Sequence, residues 1–193
     1  MTVVETDRIE MADARMSELD ELFDKVETPE GYKMEIVGGI VYMSPQRDAH
    51  WEIIRRIVRV LEDAFGMNVK VKSDVRIDFP GLLNGLCPDV AKLTATAERN
   101  EEGRWRYEDI EFIAEVISRG TAANDYGPKK VVYAEAGVPV YLIADPYQGK
   151  CHLYTEPKDG DYTVETTVSF GRDIDLGAPL EGLTLATADF PRD

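Results

Sequence analysis

The chain is poor in the residues that staple or metallate small proteins. Its two cysteines, Cys87 and Cys151, stand far apart and without Cys-pair spacing, which argues against a disulfide scaffold or a zinc knuckle. Two histidines, His50 and His152, are too few for a His-rich zinc centre. Positive charge is scarce as well: 22 Lys plus Arg face 37 Asp plus Glu, a formal net charge of −15. That balance counts against a broad phosphate-binding surface, because nucleic-acid binders draw most of their affinity from Lys and Arg. No uninterrupted apolar run approaches the roughly 18 residues of a membrane span. The polar, acidic N-terminus lacks the basic-then-apolar order of a signal peptide, so the expected setting is a reducing cytoplasm without membrane contact. Proline and glycine are dispersed, with 10 and 15 copies, which excludes collagen-like chains and wholesale disorder.

What is present is a globular composition, 44% hydrophobic and 31% charged over 193 residues, enough to bury a core. Residues 1–16 read as a flexible arm and 17–193 as a single α/β domain with a mixed β-sheet flanked by helices. Ser17 caps a short amphipathic helix carrying Leu19, Leu22, Phe23 and Val26. Two short β-rich runs, Tyr32 to Ile36 and Ile40 to Met43, flank Gly38-Gly39 as a hairpin. From His50 to Phe65, Ile53, Ile54, Ile57, Val58, Leu61 and Phe65 recur at helical spacing. Strands are expected over Val69 to Val71, Val75 to Phe79 and Asp89 to Leu93, with Thr94 to Asp109 as a loop. Ile110 to Ser118 reads as a central strand, Asp125 to Ala136 as one helix, and Val138 to Ala144 as a second buried strand. That order implies a parallel crossover. A hairpin over Lys150 to Thr155 and Tyr162 to Val168 follows.

Three acids sit where a carboxylate is hard to keep: Glu35 in the apolar ribbon, Asp89 after Pro88, and Glu115 inside Phe-Ile-Ala-Glu-Val-Ile. Each needs a partner, since unpaired burial costs several kcal/mol. The partner is either a Lys or Arg, or a divalent cation; hard oxygen ligands suit Mg²⁺ or Mn²⁺. Lys129 stands four residues after Asp125, beyond the C-terminal end of the strand bearing Glu115, where open parallel sheets place ligands. A lysine there can orient a water or neutralise a phosphate.

The ordered set Pro88-Asp89, Glu115-Val116-x-Ser118, Asp125-x-x-x-Lys129-x-x-x-Tyr133, Gly137-Val138-Pro139 and Tyr141-Leu142-Ile143-Ala144-Asp145-Pro146 resembles the Uma-two family of restriction-endonuclease-like proteins. Upstream, Tyr32-x-x-Glu35-x-x-x-Gly39, Met43-Ser44-Pro45 and His50 match the family's opening block, so the resemblance spans roughly residues 15–185. It implies a restriction-endonuclease-like core and Mg²⁺-dependent (or Mn²⁺-dependent) hydrolysis of DNA phosphodiesters. In that reading Asp89, Glu115 and Glu35 are the metal ligands and Lys129 is the catalytic lysine. The superfamily position two residues after the second acid is Ile117 here, so the lysine has moved to the following helix. Asp125 matches as a helix cap, Tyr133 as packing or hydrogen-bonding support, and His50 and Ser118 as supporting residues near the site. Arg119-Gly120, Val140 and Leu142 depart from the family pattern without removing a ligand.

The acidity restricts how DNA would bind. Arg55, Arg56 and Arg59 on the long helix, Lys70, Lys72 and Arg76 on strands, and Lys130 beside the site are the basic contacts available. They imply weak, salt-sensitive, metal-dependent engagement along one narrow face, and a homodimer is expected of restriction-type nucleases. The competing reading is a catalytically weak or inactive nuclease-fold binding or assembly module. A two-carboxylate glycosidase lacks an aromatic sugar platform.

Overall fold

The stretch Ile110 to Val116 alternates two apolar sets, Phe112, Ala114 and Val116 against Ile113 and Glu115, and a strand must show each set to a different face. The computed structural model, which describes residues 17–45 and 48–193, builds on that alternation. Strand β8 (Ile110–Val116) lies inside a six-stranded sheet in the order β11-β10-β9-β8-β6-β3. Its neighbours are β9 (Val140–Asp145), parallel, and β6 (Val90–Leu93), antiparallel. The hairpin β10 (Lys150–Lys158) and β11 (Asp161–Ser169) extends one side, and β3 (Val71–Lys72) closes the other.

Helix α2 (Asp48–Phe65) covers one face, setting Ile53, Ile54, Ile57 and Leu61 against Val90, Phe112, Ala114, Val116, Leu142 and Ala144. On the opposite face Ile113, Tyr141 and Ile143 meet Val132 and Tyr133 of α4 (Pro128–Glu135). A second, five-stranded sheet, β2-β1-β5-β4-β7, contributes Val37, Ile77, Phe79 and Leu86 to that same core. It consists of β1 (Tyr32–Val37), β2 (Ile40–Pro45), β4 (Ile77–Phe79), β5 (Asn84–Leu86) and β7 (Trp105–Arg106). A small ribbon, β12 (Ile174–Asp175) with β13 (Thr184–Leu185), lies near the C-terminus. A first helix, α1, spans residues 17–25. It is tied to the second sheet by Asp20, which pairs with Arg76 at 2.8 Å and Arg104 at 2.6 Å.

Besides the added short strands β5, β12 and β13, the elements depart from the expected ones in three places. The strands form two sheets rather than one, because the opening ribbon pairs with β5 and leaves the six-stranded sheet to be covered by helices. Residues expected as a bare loop include β7, which pairs parallel with β4. The crossover helix is broken into α3 (Ala122–Tyr126) and α4 at Gly127. A Cβ at Gly127 would meet the Ala123 carbonyl oxygen at 2.9 Å, and Pro128 lacks the N–H needed to continue α3 but suits the first turn of α4. The proposed arm, residues 1–16, lies outside the described residues.

Leu142 is fully buried in the central parallel pair. Leu142→Ala is expected to lower unfolding free energy by about 2–5 kcal/mol in urea denaturation, whereas Val164→Ala on the exposed edge strand β11 should stay within about 0.5 kcal/mol.

Candidate active site

The alternation that packs β8 also aims its acid. Glu115 shares the Ile113 face, so it points toward α4 and not toward α2. Asp89 precedes β6 with the parity of Ala91 and Leu93, which lie on the α4 side. On β1, Lys33 and Glu35 share a face with Val37. The side chains of Glu35, Asp89, Glu115, Asp125 and Lys129 are all buried.

Two ammonium groups organise these acids. Lys129 Nζ lies 2.7 Å from Glu115 Oε1, 3.0 Å from Asp125 Oδ1 and 3.1 Å from Glu35 Oε2. Lys33 Nζ lies 2.5 Å from Asp89 Oδ1, 3.4 Å from Asp74 Oδ1 and 4.0 Å from Glu115 Oε2, and donates to the Cys87 carbonyl at 3.0 Å. Backbone and hydroxyl donors fix the remaining lone pairs. Cys87 N donates to Glu35 at 2.8 Å, Val116 N to Asp89 at 2.7 Å, and the Tyr133 hydroxyl to Glu115 at 2.6 Å. His50 Nε2 stands 3.1 Å from Asp89 Oδ2. It also lines a small cleft with Pro45, Ile117, Ser118, Pro146 and Tyr147. Two larger surface grooves, of about 580 and 480 Å³, touch none of these acids.

Five carboxylates therefore face two ammonium groups and one imidazole, and their protonation separates accordingly. Burial opposes ionisation of Asp89, but Lys33 and His50 outweigh it and hold the carboxyl far below the usual range. Burial dominates at Glu115 and, with Asp89 nearby, pushes it up to about 8 against the pull of Lys129 and Lys33. Asp125 and Asp74 are raised by burial too. Lys129 and Lys33 lose hydration, yet the surrounding acids raise both well above the ordinary lysine value. One neighbouring acid is thus kept charged and another protonated, the arrangement by which environments assign acid and base character.

The structure brings together Glu35, Asp89, Glu115, Asp125, Lys129 and Tyr133, with His50 and Ser118 at the adjoining cleft. Asp125 does not act as a helix cap: Thr121 occupies the N-cap position of α3, and Asp125 serves Lys129 from inside the helix. His152, in the late hairpin, lies 3.2 Å from Glu165 and 3.1 Å from Thr167.

Most of the anticipated basic contacts are already engaged. Arg55 and Arg56 share Glu52, Lys130 pairs with Asp161 at 2.8 Å beside the Tyr154 ring, and Arg76 pairs with Asp78 at 2.6 Å. Lys70 donates to the Ala97 carbonyl and Lys72 lies over Trp105. Arg59 is exposed on α2.

Sequence reasoning missed Lys33 and Asp74. The signal for Lys33 was its place two residues before Glu35 on one strand, which by period two puts both on one face. Asp74 sits at a positive φ of 54° between strands and carries no periodic signal.

A Mg²⁺ or Mn²⁺ ion requires hard oxygen donors. Asp89 Oδ1, Glu115 Oε2 and the Cys87 carbonyl supply these and surround one cation, the Lys33 ammonium. The donor chemistry therefore fits such an ion. Among the described residues, no three His, Cys, Asp or Glu side chains are arranged to hold one. No helix among the described residues is long and apolar enough to cross a membrane.

The architecture, a mixed sheet with helices on its faces and a carboxylate–lysine cluster at the parallel strand pair, is that of a restriction-endonuclease-like fold. It is similar to the crystal structure of a putative nuclease belonging to DUF820 from Anabaena variabilis ATCC 29413, with a TM-score of 0.70 at 16% identity, covering 89% of this chain and 96% of that one. The Uma2 family, described as putative restriction endonuclease, matches residues 19–188, and the chain belongs to that family. No curated protein matches the sequence.

The His50–Asp89 contact predicts a pH signature. Burial works against the charged ring, but the hydrogen bond and charge of Asp89 prevail and raise His50 above its ordinary 6.5. A raised folded-state value means that the stabilisation is complete below the unfolded value and is lost as pH rises through the folded one. In EDTA, His50→Gln should therefore be more destabilising at pH 5.5 than at pH 9, by about 1 kcal/mol, in urea denaturation. Equal losses at both pH values would refute the ion pair.

Proposed function

We propose that this protein is a Mg²⁺- or Mn²⁺-dependent endonuclease hydrolysing DNA phosphodiester bonds. The observation that carries the reading is the convergence of Asp89, Glu115, Glu35 and Lys129 in one buried cluster beside a cleft. Asp89 and Glu115 would hold the ion, with the Cys87 carbonyl beside them and Glu35 reaching the cluster through Lys129. When bound, the ion supplies Lewis-acid polarisation of a phosphate oxygen and lowers the pKa of a coordinated water.

The chain's own groups do the rest. Lys129, fixed by three carboxylates, stays protonated at neutral pH, so it acts as a hydrogen-bond donor and a positive charge rather than as a general base. Tyr133 and the Asp89 amide, 2.6 and 3.4 Å from Glu115, hold that carboxyl in place. His50 joins the cleft to Asp89 and fixes the orientation of that carboxylate. Because most surface Lys and Arg are paired locally, DNA engagement in this reading is weak and falls with salt.

The full pairing of every acid with a lysine favours a second reading, a nuclease-fold binding or assembly module that keeps the scaffold without cleaving. Nicking of supercoiled DNA in Mg²⁺ or Mn²⁺ separates the two. Wild type is expected to nick, with loss of at least about 100-fold in Asp89→Asn and in Lys129→Met. No metal-dependent nicking by wild type, or nicking that survives both substitutions, would leave the binding module as the function.

A further inference from the structure

The Lys33 ammonium occupies the one point toward which Asp89 Oδ1, Glu115 Oε2, Asp74 Oδ1 and the Cys87 carbonyl all turn, at 2.5, 4.0, 3.4 and 3.0 Å. These four oxygens, three from carboxyl groups and one from a backbone carbonyl, come from three separate parts of the chain. We propose that Lys33 is a tethered counterion that shares its position with the divalent cation, so that the ion binds only as the Lys33 ammonium swings out. This rests on the reading that Asp89 and Glu115 hold such an ion.

Sterics and charge both require the exchange. Metal–oxygen distances for Mg²⁺ are about 2.0–2.1 Å, so an ion bound to these oxygens and the Lys33 ammonium cannot occupy the same point. An ammonium beside a divalent ion would also repel it strongly at low dielectric. A divalent ion carries one more positive charge than the ammonium it replaces, and that charge meets the carboxylate of Asp89 directly.

Lys33 also has a route out. Its stem is flexible, and Asp74 lies on the solvent side with its side chain 29% exposed, against 2% for Asp89 and Glu115. Pivoting toward Asp74 lets the ammonium keep a carboxylate partner while leaving the other three oxygens. Lys129 has no such outlet, since its partners Glu35, Glu115 and Asp125 are all buried. The two lysines therefore differ in kind: Lys129 is a fixed part of the cluster, and Lys33 is its exchangeable part.

The test uses the wild-type chain and needs no activity. Amine acetylation with an N-hydroxysuccinimide ester, read by peptide mass spectrometry, is compared in EDTA and in saturating Mn²⁺. Lys33 should be protected in EDTA and label several-fold faster with Mn²⁺, while Lys129 stays protected and exposed Lys150 is unchanged. In parallel, Mn²⁺ binding followed by electron paramagnetic resonance should be tighter in Lys33→Met by at least about tenfold, equivalent to about 1.4 kcal/mol, and absent in Asp89→Asn. If Mn²⁺ binds wild type but leaves Lys33 protected, or Lys33→Met binds no more tightly, the exchange is wrong and the metal reading stands. If neither wild type nor Lys33→Met binds Mn²⁺, the metal reading itself falls, and the exchange with it.

Discussion

An ammonium group withdrawn from water is tolerated only where oxygens take over its hydration, and this protein does that twice within one cluster. Lys129 and Lys33 each gather three or four oxygens, and those oxygens belong to β1, the connection between β3 and β4, the turn before β6, β8 and α3. Both sheets and the crossover helix are thereby tied to a single electrostatic knot. Breaking one partner of such a buried set typically costs about 3–5 kcal/mol, comparable with a large core truncation, so the geometry of the cluster and the stability of the fold are one problem. The break at Gly127 belongs to it as well. Starting α4 afresh at Pro128 puts Lys129 in a first helical turn, one turn below Tyr133, and both side chains meet Glu115.

Within that frame, the two central acids are treated differently. Asp89 receives Lys33, His50 and a backbone amide and remains charged, whereas Glu115, enclosed by apolar strand residues and close to Asp89, holds a proton near neutrality. A site of this kind has spare acidity that an added cation draws out, since metal binding displaces protons from its ligands. It also has little to offer a polyanion directly. The net charge of −15 is only partly accounted for by the cluster; the rest is spread over surface acids that pair with the very arginines and lysines a DNA-binding face would need.

Much of the central sheet was legible in the sequence because its signals are periodic. Phe112 to Val116, Val140 to Ala144 and the α2 stripe Ile53, Ile54, Ile57, Leu61 each repeat at the spacing of the element they form. The acids Asp89 and Glu115 stood out against those apolar runs. What escaped was set by tertiary geometry. Lys33 reads as an ordinary exposed-ribbon lysine until the ribbon folds over the Cys87 carbonyl. Asp74 sits in a connection with no period to betray it. The joining of the opening ribbon to β5 rests on a single pairing of Ile36 with Gly85, and one glycine in a turn-rich stretch gives no hint of it. The helix break stands in the sequence as Gly127-Pro128, but Pro128 is equally compatible with the first turn of a single helix from Asp125.

Lys129 and Glu35 are separated by 94 positions along the chain, and Asp89 and Glu115 approach through residues 26 apart. Contacts of such long range form late, because closing the intervening loops must come first. The parallel pairing of β8 with β9, which waits on the whole α3–α4 crossover, delays them further. An unfolded chain carries its acids as separate, hydrated charges, and Glu35, Asp89 and Glu115 share counterions only once β1, β6, β8 and the crossover have come together. The charged cluster is in effect a readout of long-range topology: its lysines meet their full set of oxygens only where β1, the turn before β6, β8 and the α3–α4 crossover stand together.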